Sequence, residues 1–171
     1  MFKNQVAEFI YKRTYSRWVE EEKRREDWPE TIDRFLNFII SERPDIPEKT
    51  QKKIRKYLIE FSVMPSMRFL WAAGPAAKAD NTTIYNCSFA KINCVQAFAE
   101  CLYILMCGTG FGCSVEKEEV DKLSAIPVIK SGQGLKKLKI EDSKKGWADS
   151  VKTLMQNLFD GQNVYFDYDD I

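Results

Sequence analysis

Histidine is missing from this chain of 171 residues. With it goes the commonest nitrogen ligand for a transition metal and the usual general base near neutral pH. Cysteine does not supply a metal site in its place. Cys87, Cys94, Cys101, Cys107 and Cys113 stand at steps of 7, 7, 6 and 6, unlike the spacer of about two to four residues in a zinc knuckle. Charge of one sign is lacking too: 26 Lys plus Arg oppose 25 Asp plus Glu, a net charge of +1. Such a balance provides no field for steering onto nucleic acid or an anionic membrane. The most apolar run, "VQAFAECLYILMCGTGFGCSV", is interrupted by Gln96, Glu100 and three glycines, so it does not read as a membrane span. Repeats and low-complexity tracts are absent. No signal-peptide pattern opens the chain, and an odd number of cysteines argues against a secreted disulfide scaffold, which places the protein in a reducing cytoplasm.

What remains is a globular composition, 44% hydrophobic, in a length that suits one ordinary domain. The first half reads as helices. Phe2, Val6, Phe9, Ile10 and Trp18 recur near a helical period from Phe2 to about Glu22, and "EEEKRRE" gives a solvated end. "DWPETIDRFLNFIISER" places Pro29 at a helix start, with Ile32, Phe35, Leu36 and Ile39 on one face. "PEKTQKKIRKYLIEF" repeats the pattern with Ile54, Leu58 and Phe61, and Pro65 is expected to end it. Three helices thus precede any strand, in an N-terminal helical segment over residues 1–64.

From Met67 the character changes. "MRFLWAAG" and "TTIYNCSFA" are short and rich in aromatic and β-branched residues, and read as strands separated by the loop "GPAAKADN". "CVQAFAECLYILMCG" reads as a buried helix capped by Gly108. A glycine-rich strand "GTGFGCSVE", a short apolar run "AIPVIK", a loop "SGQGLKKLK", a helix "KKGWADSVKTLMQNLF" and a strand "NVYFDYDD" follow. The alternation implies an α/β architecture of four or five strands. Residues 65–116 form one segment and 117–171 another. Because the strand reading runs to the last residue, the chain is expected to be the front portion of a larger protein.

Each local signal has a plain alternative. Gly108, Gly110 and Gly112 form a G-x-G-x-G, but it runs from helix into strand, the reverse of the dinucleotide fingerprint. These glycines serve either a tight turn or the close approach of a ligand. Pro65 and Ser66 offer a hydroxyl and free amides to an anion, or simply a turn. Arg68 suits a phosphate or an ordinary ion pair. Cys94, Cys101 and Cys107 lie on or beside the apolar helix and read as packing residues. Cys87 differs, since it stands between Asn86 and Ser88 in a polar setting on a strand, although a buried strand residue is the competing reading.

Seven stretches occur together in one order: "YKRTYSRW" (Tyr11 to Trp18), "RREDWPET", "VMPSMRFLWAAG", "YNCSF" (Tyr85 to Phe89), "MCGTGFGCSVEKEEVDKL", "DSKKGWADSV" and "FDYDDI". Through them the whole chain resembles the N-terminal portion of the adenosylcobalamin-dependent (class II) ribonucleoside-triphosphate reductases. The resemblance implies an α/β fold in which an N-terminal helical segment is followed by the first part of a ten-stranded barrel, incomplete in this chain and interrupted by an effector-type insertion. It implies reduction of ribonucleoside triphosphates to 2′-deoxyribonucleoside triphosphates by radical chemistry with a redox dithiol, and Cys87 matches one of those thiols. Pro65, Ser66, Ser88, Gly108 and Gly110 match substrate-binding positions, and Asp142 and Ser143 match positions that contact a deoxynucleotide effector, with a helix N-cap as their competing role. Adenosylcobalamin is the implied cofactor, its contacts falling mainly outside this chain. The implied partners are a thioredoxin-like reductant and a complementary C-terminal polypeptide, with no metal bound by this chain, no nucleic acid and no membrane. The radical-bearing and second redox cysteines would lie elsewhere, so the chain alone is expected to be inactive. Two other classes stay open, a nucleotide-binding module and a structural subunit, and within the family a reductase of another radical class.

Overall fold

Asp27 and Glu30 start the first long helix by exchanging hydrogen bonds. The Glu30 amide donates to the Asp27 carboxylate at 2.9 Å, and the Asp27 amide donates to the Glu30 carboxylate at 2.7 Å. This capping box, with Pro29 in the first turn, opens α2 (Trp28–Glu42). The computed structural model describes residues 2–128, 136–169 and 171. They fall into two compact units, Met1–Tyr85 and Asn86–Ile171.

In the first unit α2 follows α1 (Gln5–Thr14) and precedes α3 (Glu48–Ile59). The helix expected to reach Glu22 stops at Thr14, and the chain turns into an antiparallel hairpin, β1 (Trp18–Val19) against β2 (Arg24–Arg25). Glu26 causes the change. Its amide donates to the Arg17 carbonyl at 2.7 Å, and its own carbonyl accepts from Ser16 Oγ and Lys12 Nζ at 2.7 and 2.8 Å. A hairpin therefore stands between the first two helices, where none was expected. Nor does Pro65 end α3. Phe61, at φ 57°, donates its amide to Leu58 while Ser62 donates to Tyr57, a Schellman ending. The Phe61 ring stacks on Trp28 at 4.6 Å, which offsets the strained backbone of a non-glycine residue there.

Met67–Ala72, expected as a strand, is helix α4, and the expected loop holds a short helix α5 (Pro75–Ala79). Ser66 caps α4 by accepting from the Phe69 amide at 3.4 Å. Met, Arg, Leu and Ala are good helix formers, and helical spacing sends both Leu70 and Ala73 into the core. That core comprises Tyr11, Trp28, Ile32, Phe35, Leu36, Leu58, Leu70 and Ala73. The stretch "TTI" belongs to a 3-10 turn, Asn81–Ile84, rather than to the strand that follows.

The second unit contains two strand–helix–strand repeats. In the first, β3 (Cys87–Lys91), α6 (Val95–Met106) and β4 (Gly110–Ser114) place β3 parallel to β4, with Cys87 opposite Gly110. In the second, β5 (Lys136–Lys139), α8 (Lys144–Phe159) and β6 (Val164–Asp167) do the same, with Lys136 opposite Val164. Helix crossovers between parallel strands are the unit of an α/β fold, as the alternating pattern implied. A short α7 (Lys117–Val120) lies between them, and α6 packs against α8. Gly108, at φ 78°, ends α6 in a Schellman motif in which Gly108 donates to Leu105 and Thr109 to Ile104. Lys144 Nζ reaches from the first turn of α8 to Cys107 Sγ at 3.4 Å and lies over the Tyr103 ring at 5.6 Å. Of the loop expected over 131–139, Lys136–Lys139 is a strand and the rest lies outside the described residues, as do the last two residues of "AIPVIK". Six short strands are present among the described residues, more than expected. No described helix is long and apolar enough to cross a membrane.

Candidate active-site strand pair

Alternation along β3 puts Cys87, Phe89 and Lys91 on one face and Ser88 and Ala90 on the other. The parallel register adds Gly110 and Gly112 to the first face, and Phe111 and Cys113 to the second. Cys87, Phe89, Lys91 and both glycines are exposed, whereas Ser88, Ala90 and Phe111 are half-buried. Helix α6 packs on both strands. The cysteine thus occupies the open face of a small sheet.

Gly110 keeps that thiol uncovered. A Cβ at Gly110 would lie 3.9 Å from Cys87 Sγ and 3.4 Å from the Asn86 carbonyl, so any side chain there would crowd the approach to sulfur. The backbone around the thiol is pinned from both sides. The Gly110 amide donates to the Asn86 carbonyl at 2.9 Å, and Ser88 Oγ donates to the Gly110 carbonyl at 3.1 Å. Carried on a strand, the sulfur has a fixed direction.

All five cysteines are free thiols. Cys113 cannot close a disulfide with Cys87 in this arrangement. It sits on the opposite face of the sheet, three positions beyond Gly110 in β4, roughly 10 Å along the strands and outside the reach of an S–S bond. Cys101 is half-buried, and burial pushes its thiol up, helped by the nearby Cys113. Cys107 is 5% exposed beneath Lys144. Cys94 is the N-cap residue of α6.

The other sequence-derived positions divide between the units. Pro65 and Ser66 belong to the first, where Ser66 is exposed and caps α4. Near them, Arg68 Nε donates to the Thr83 carbonyl at 2.9 Å, and the guanidinium lies over Trp71 at 5.0 Å. Ser88, Gly108, Gly110, Asp142 and Ser143 belong to the second unit. Ser88 and Gly110 adjoin Cys87 directly, while Gly108 forms the turn that leads from α6 into β4. Ser143 is the N-cap of α8, accepting from the Gly146 amide at 2.9 Å, with Asp142 exposed beside it. Among the described residues no cluster of three or more Cys, Asp or Glu is placed to hold a metal ion.

Sequence reasoning missed two carboxylate centres. Glu26, read within a solvated charge run, is 7% exposed. Burial pushes its carboxyl up, but hydrogen bonds from Arg34, the Arg17 amide and Thr31 outweigh this and hold it below the ordinary value. The available signal was its place immediately before the capping box, between aromatic residues that anchor the core. Glu119 accepts from Lys122 at 2.6 Å, Lys91 at 2.7 Å and Asn93 at 2.9 Å, which brings its carboxyl down to about 2. It fixes α7 to the end of β3, and nothing in "EKEEV" distinguishes it from its neighbours.

Known proteins share both the pattern and the fold. A model of the ribonucleotide reductase alpha domain matches residues 1–75. The adenosylcobalamin-dependent ribonucleoside-triphosphate reductase of Lactobacillus helveticus is 32% identical over 102 residues, 53% of this chain and 14% of that protein. The reductase of the same name from Lacticaseibacillus paracasei is 29% identical over 150 residues, 68% of this chain and 20% of that protein. Over these stretches the chain is similar to ribonucleotide reductases. A crystal structure of a B-12 dependent (class II) ribonucleotide reductase superposes with a TM-score of 0.79 at 21% identity, covering 95% of this chain and 32% of that one. The α/β fold of the chain is therefore a fold found within a class II ribonucleotide reductase. The chain spans no more than about a fifth of the length of these two curated relatives.

Proposed function

We propose that this chain forms the front part of a ribonucleoside-triphosphate reductase and that Cys87 is one of its two redox thiols. The observation that carries this reading is the exposed Cys87 on the open face of β3, with Gly110 opposite, so that the paired position adds no side chain beside the sulfur. Replacing the 2′-hydroxyl of a ribonucleotide by hydrogen takes two electrons and two protons. A pair of thiols supplies both: two S–H bonds break, one S–S bond forms, and the hydroxyl leaves as water. A rigid strand holds the sulfur at a fixed attack position. The second thiol and the radical-bearing cysteine come from a complementary C-terminal polypeptide, so residues 1–171 alone do not turn over.

Ser66, next to Pro65, contributes its hydroxyl to a substrate phosphate. Gly108 and Gly110 let the backbone approach the nucleotide, and Ser88 faces the ribose or phosphate with the lone pairs of its hydroxyl. Asp142 and Ser143 border the deoxynucleotide effector. Reduction of the disulfide falls to a thioredoxin-like partner, and five free thiols suit a reducing cytoplasm. Adenosylcobalamin, named in the relatives, supplies the radical when bound. Two grooves among the described residues do not suit it. One of about 760 Å³ beside Arg34 and Lys78 and one of about 420 Å³ beside Tyr103 and Lys145 suit a drug-sized molecule rather than a corrin several times heavier. No residue of this chain is assigned to the cofactor.

The test is turnover of the enzyme completed with its downstream portion. Cys87→Ser is expected to abolish multiple-turnover formation of deoxynucleotide, because a serine hydroxyl cannot form the disulfide, while Cys101→Ala retains turnover. Equal turnover by wild type and Cys87→Ser sinks the assignment. Ser66→Ala is expected to weaken nucleoside triphosphate binding by about 1.5–3 kcal/mol, the range for one hydrogen bond to a charged group. An unchanged affinity leaves Ser66 as a helix cap only.

A further inference from the structure

Arg34, on α2, uses its whole guanidinium. Nε donates to Glu26 Oε1 at 2.7 Å and Nη2 to Glu26 Oε2 at 3.1 Å, with a longer contact from Nη2 to the Tyr15 carbonyl at 3.5 Å. Nη1 donates to the Leu70 carbonyl at 3.2 Å and the Ala73 carbonyl at 2.8 Å. These contacts account for all five N–H donors of an arginine. The pair is well enclosed, with side chains 16% and 9% exposed. Arg17 joins the same assembly: its amide donates to Glu26 Oε2 at 3.2 Å and its Nη2 to the Trp71 carbonyl at 2.9 Å.

The Leu70, Trp71 and Ala73 carbonyls lie at the C-terminal end of α4. A six-residue helix leaves most of its last carbonyls without intrahelical partners, and two cations placed there also complement the helix dipole. The other end of α4 is the Pro65–Ser66 turn. Within α4 the Leu70 amide donates to the Ser66 carbonyl at 2.9 Å and the Phe69 amide to Ser66 Oγ at 3.4 Å. One short rigid element therefore joins the arginine-held carbonyls to Ser66.

We infer that Arg34, seated on Glu26 and assisted by Arg17, is a positioning residue that fixes α4 and thereby sets where Ser66 stands for nucleotide binding. The inference rests on the phosphate-binding reading of Ser66. Lysine cannot replace Arg34, since a single ammonium on a flexible stem cannot reach one carboxylate and two carbonyls in a fixed fork. Glu26 orients the fork and neutralises it in an enclosed place, so the three groups act as one clamp.

Hydrogen exchange on the full 171-residue chain tests the clamp directly. In Arg34→Lys the amides of Phe69, Leu70 and Ala73 are expected to exchange roughly tenfold faster or more, while the amides of α3 keep their protection, because local opening need not follow global unfolding. Unchanged α4 amides, or loss of protection in α3 and α4 alike, overturns the inference. In the completed enzyme Arg34→Lys should raise KM for the nucleoside triphosphate and leave kcat nearly as it was, a split that general destabilisation does not produce. An unchanged KM overturns the positioning role, and Ser66→Ala then locates the fault: a raised KM in Ser66→Ala condemns the clamp, an unchanged one condemns the Ser66 reading. Should Arg34→Lys not fold, Arg17→Met, which removes only the side-chain bond to the Trp71 carbonyl, carries the same measurements with a smaller expected change.

Discussion

Ile32 and Leu70 in the first unit are fully enclosed, at 0% exposure, in a core that includes Tyr11, Trp28 and Phe35. Among its described residues the second unit buries Ala97, Ala99 and Ala148 with only two larger aliphatic side chains, Ile92 and Ile140, and several polar ones, among them Thr109, Glu119 and Asn157. Its sheets differ from the usual pattern as well. Parallel strands are ordinarily covered on both faces, yet β3–β4 and β5–β6 are each two strands wide, and Phe89 and Tyr165 are 68% and 54% exposed. The contrast separates two tasks. Apolar volume stabilises the first unit, while the second leaves strand faces open and carries the thiol on one of them. An uncovered sulfur and a completed core are hard to combine in one small sheet, and the open face leaves room for another molecule to reach the thiol.

Ile32→Ala puts the contrast under the greatest strain. Emptying a fully enclosed site in a tightly packed core should destabilise the first unit by about 2–5 kcal/mol, read by denaturant melts, with amide protection in α6 and α8 retained. Equal loss of protection in both units would erase the distinction between them. Gly146→Ala probes the second unit with a smaller effect. An alanine in a helix normally gains up to about 1 kcal/mol over glycine. Here, however, its Cβ would run into the Glu141 carbonyl oxygen and fall 2.7 Å from Glu141 Cβ, so the sign should reverse to a loss of about 1–3 kcal/mol through overpacking. A stabilised Gly146→Ala would mean that the start of α8 yields more easily than its contacts indicate.

The smallest effect concerns acid. Glu119 is held down to about 2 by Lys122, Lys91 and Asn93, below its value in an unfolded chain, so its contribution is present above the unfolded pKa of about 4.3. It should fade as pH falls from there toward about 2. Amide exchange in α7, compared between wild type and Glu119→Gln across that window, should converge at low pH. Salt should weaken the difference, since both lysines are more than half exposed. Parallel curves with no convergence would place the stabilisation of α7 elsewhere.

What the sequence revealed follows a physical line. Helices α2, α6 and α8 were legible because their sequence pattern agreed with a terminal signal, Pro29 at the start of α2, Gly108 after α6 and Ser143 before α8. The chain around Cys87 was read as a strand from its aromatic and β-branched residues, although Thr82, Thr83 and Ile84 among them form a 3-10 turn before the strand begins at Cys87. Helix α4 was misread, since Phe69 and Trp71 resemble strand residues while its true determinants are distant: Arg34 and Arg17 hold its carbonyls from 36 and 54 positions away. Helix α1 was drawn too long for the same reason, because Glu26 ends it by bonds across the hairpin and not by any local breaker. Cys87 stood out by its polar neighbours, but the value of Gly110 as its open counterpart depends on register, which no single strand discloses.

The contact between Lys144 and Cys107 gives the molecule a built-in stopwatch. Cys107 is sealed while the first turn of α8 lies across the end of α6, and becomes available to an alkylating reagent when the two part. Cys87, Cys94 and Cys113 are exposed in the same chain, so their modification rates supply the reference for a thiol with free access. The ratio of the Cys107 rate to theirs, followed by mass spectrometry in one tube, reads how often the seam between α6 and α8 breathes without any label being engineered into the protein.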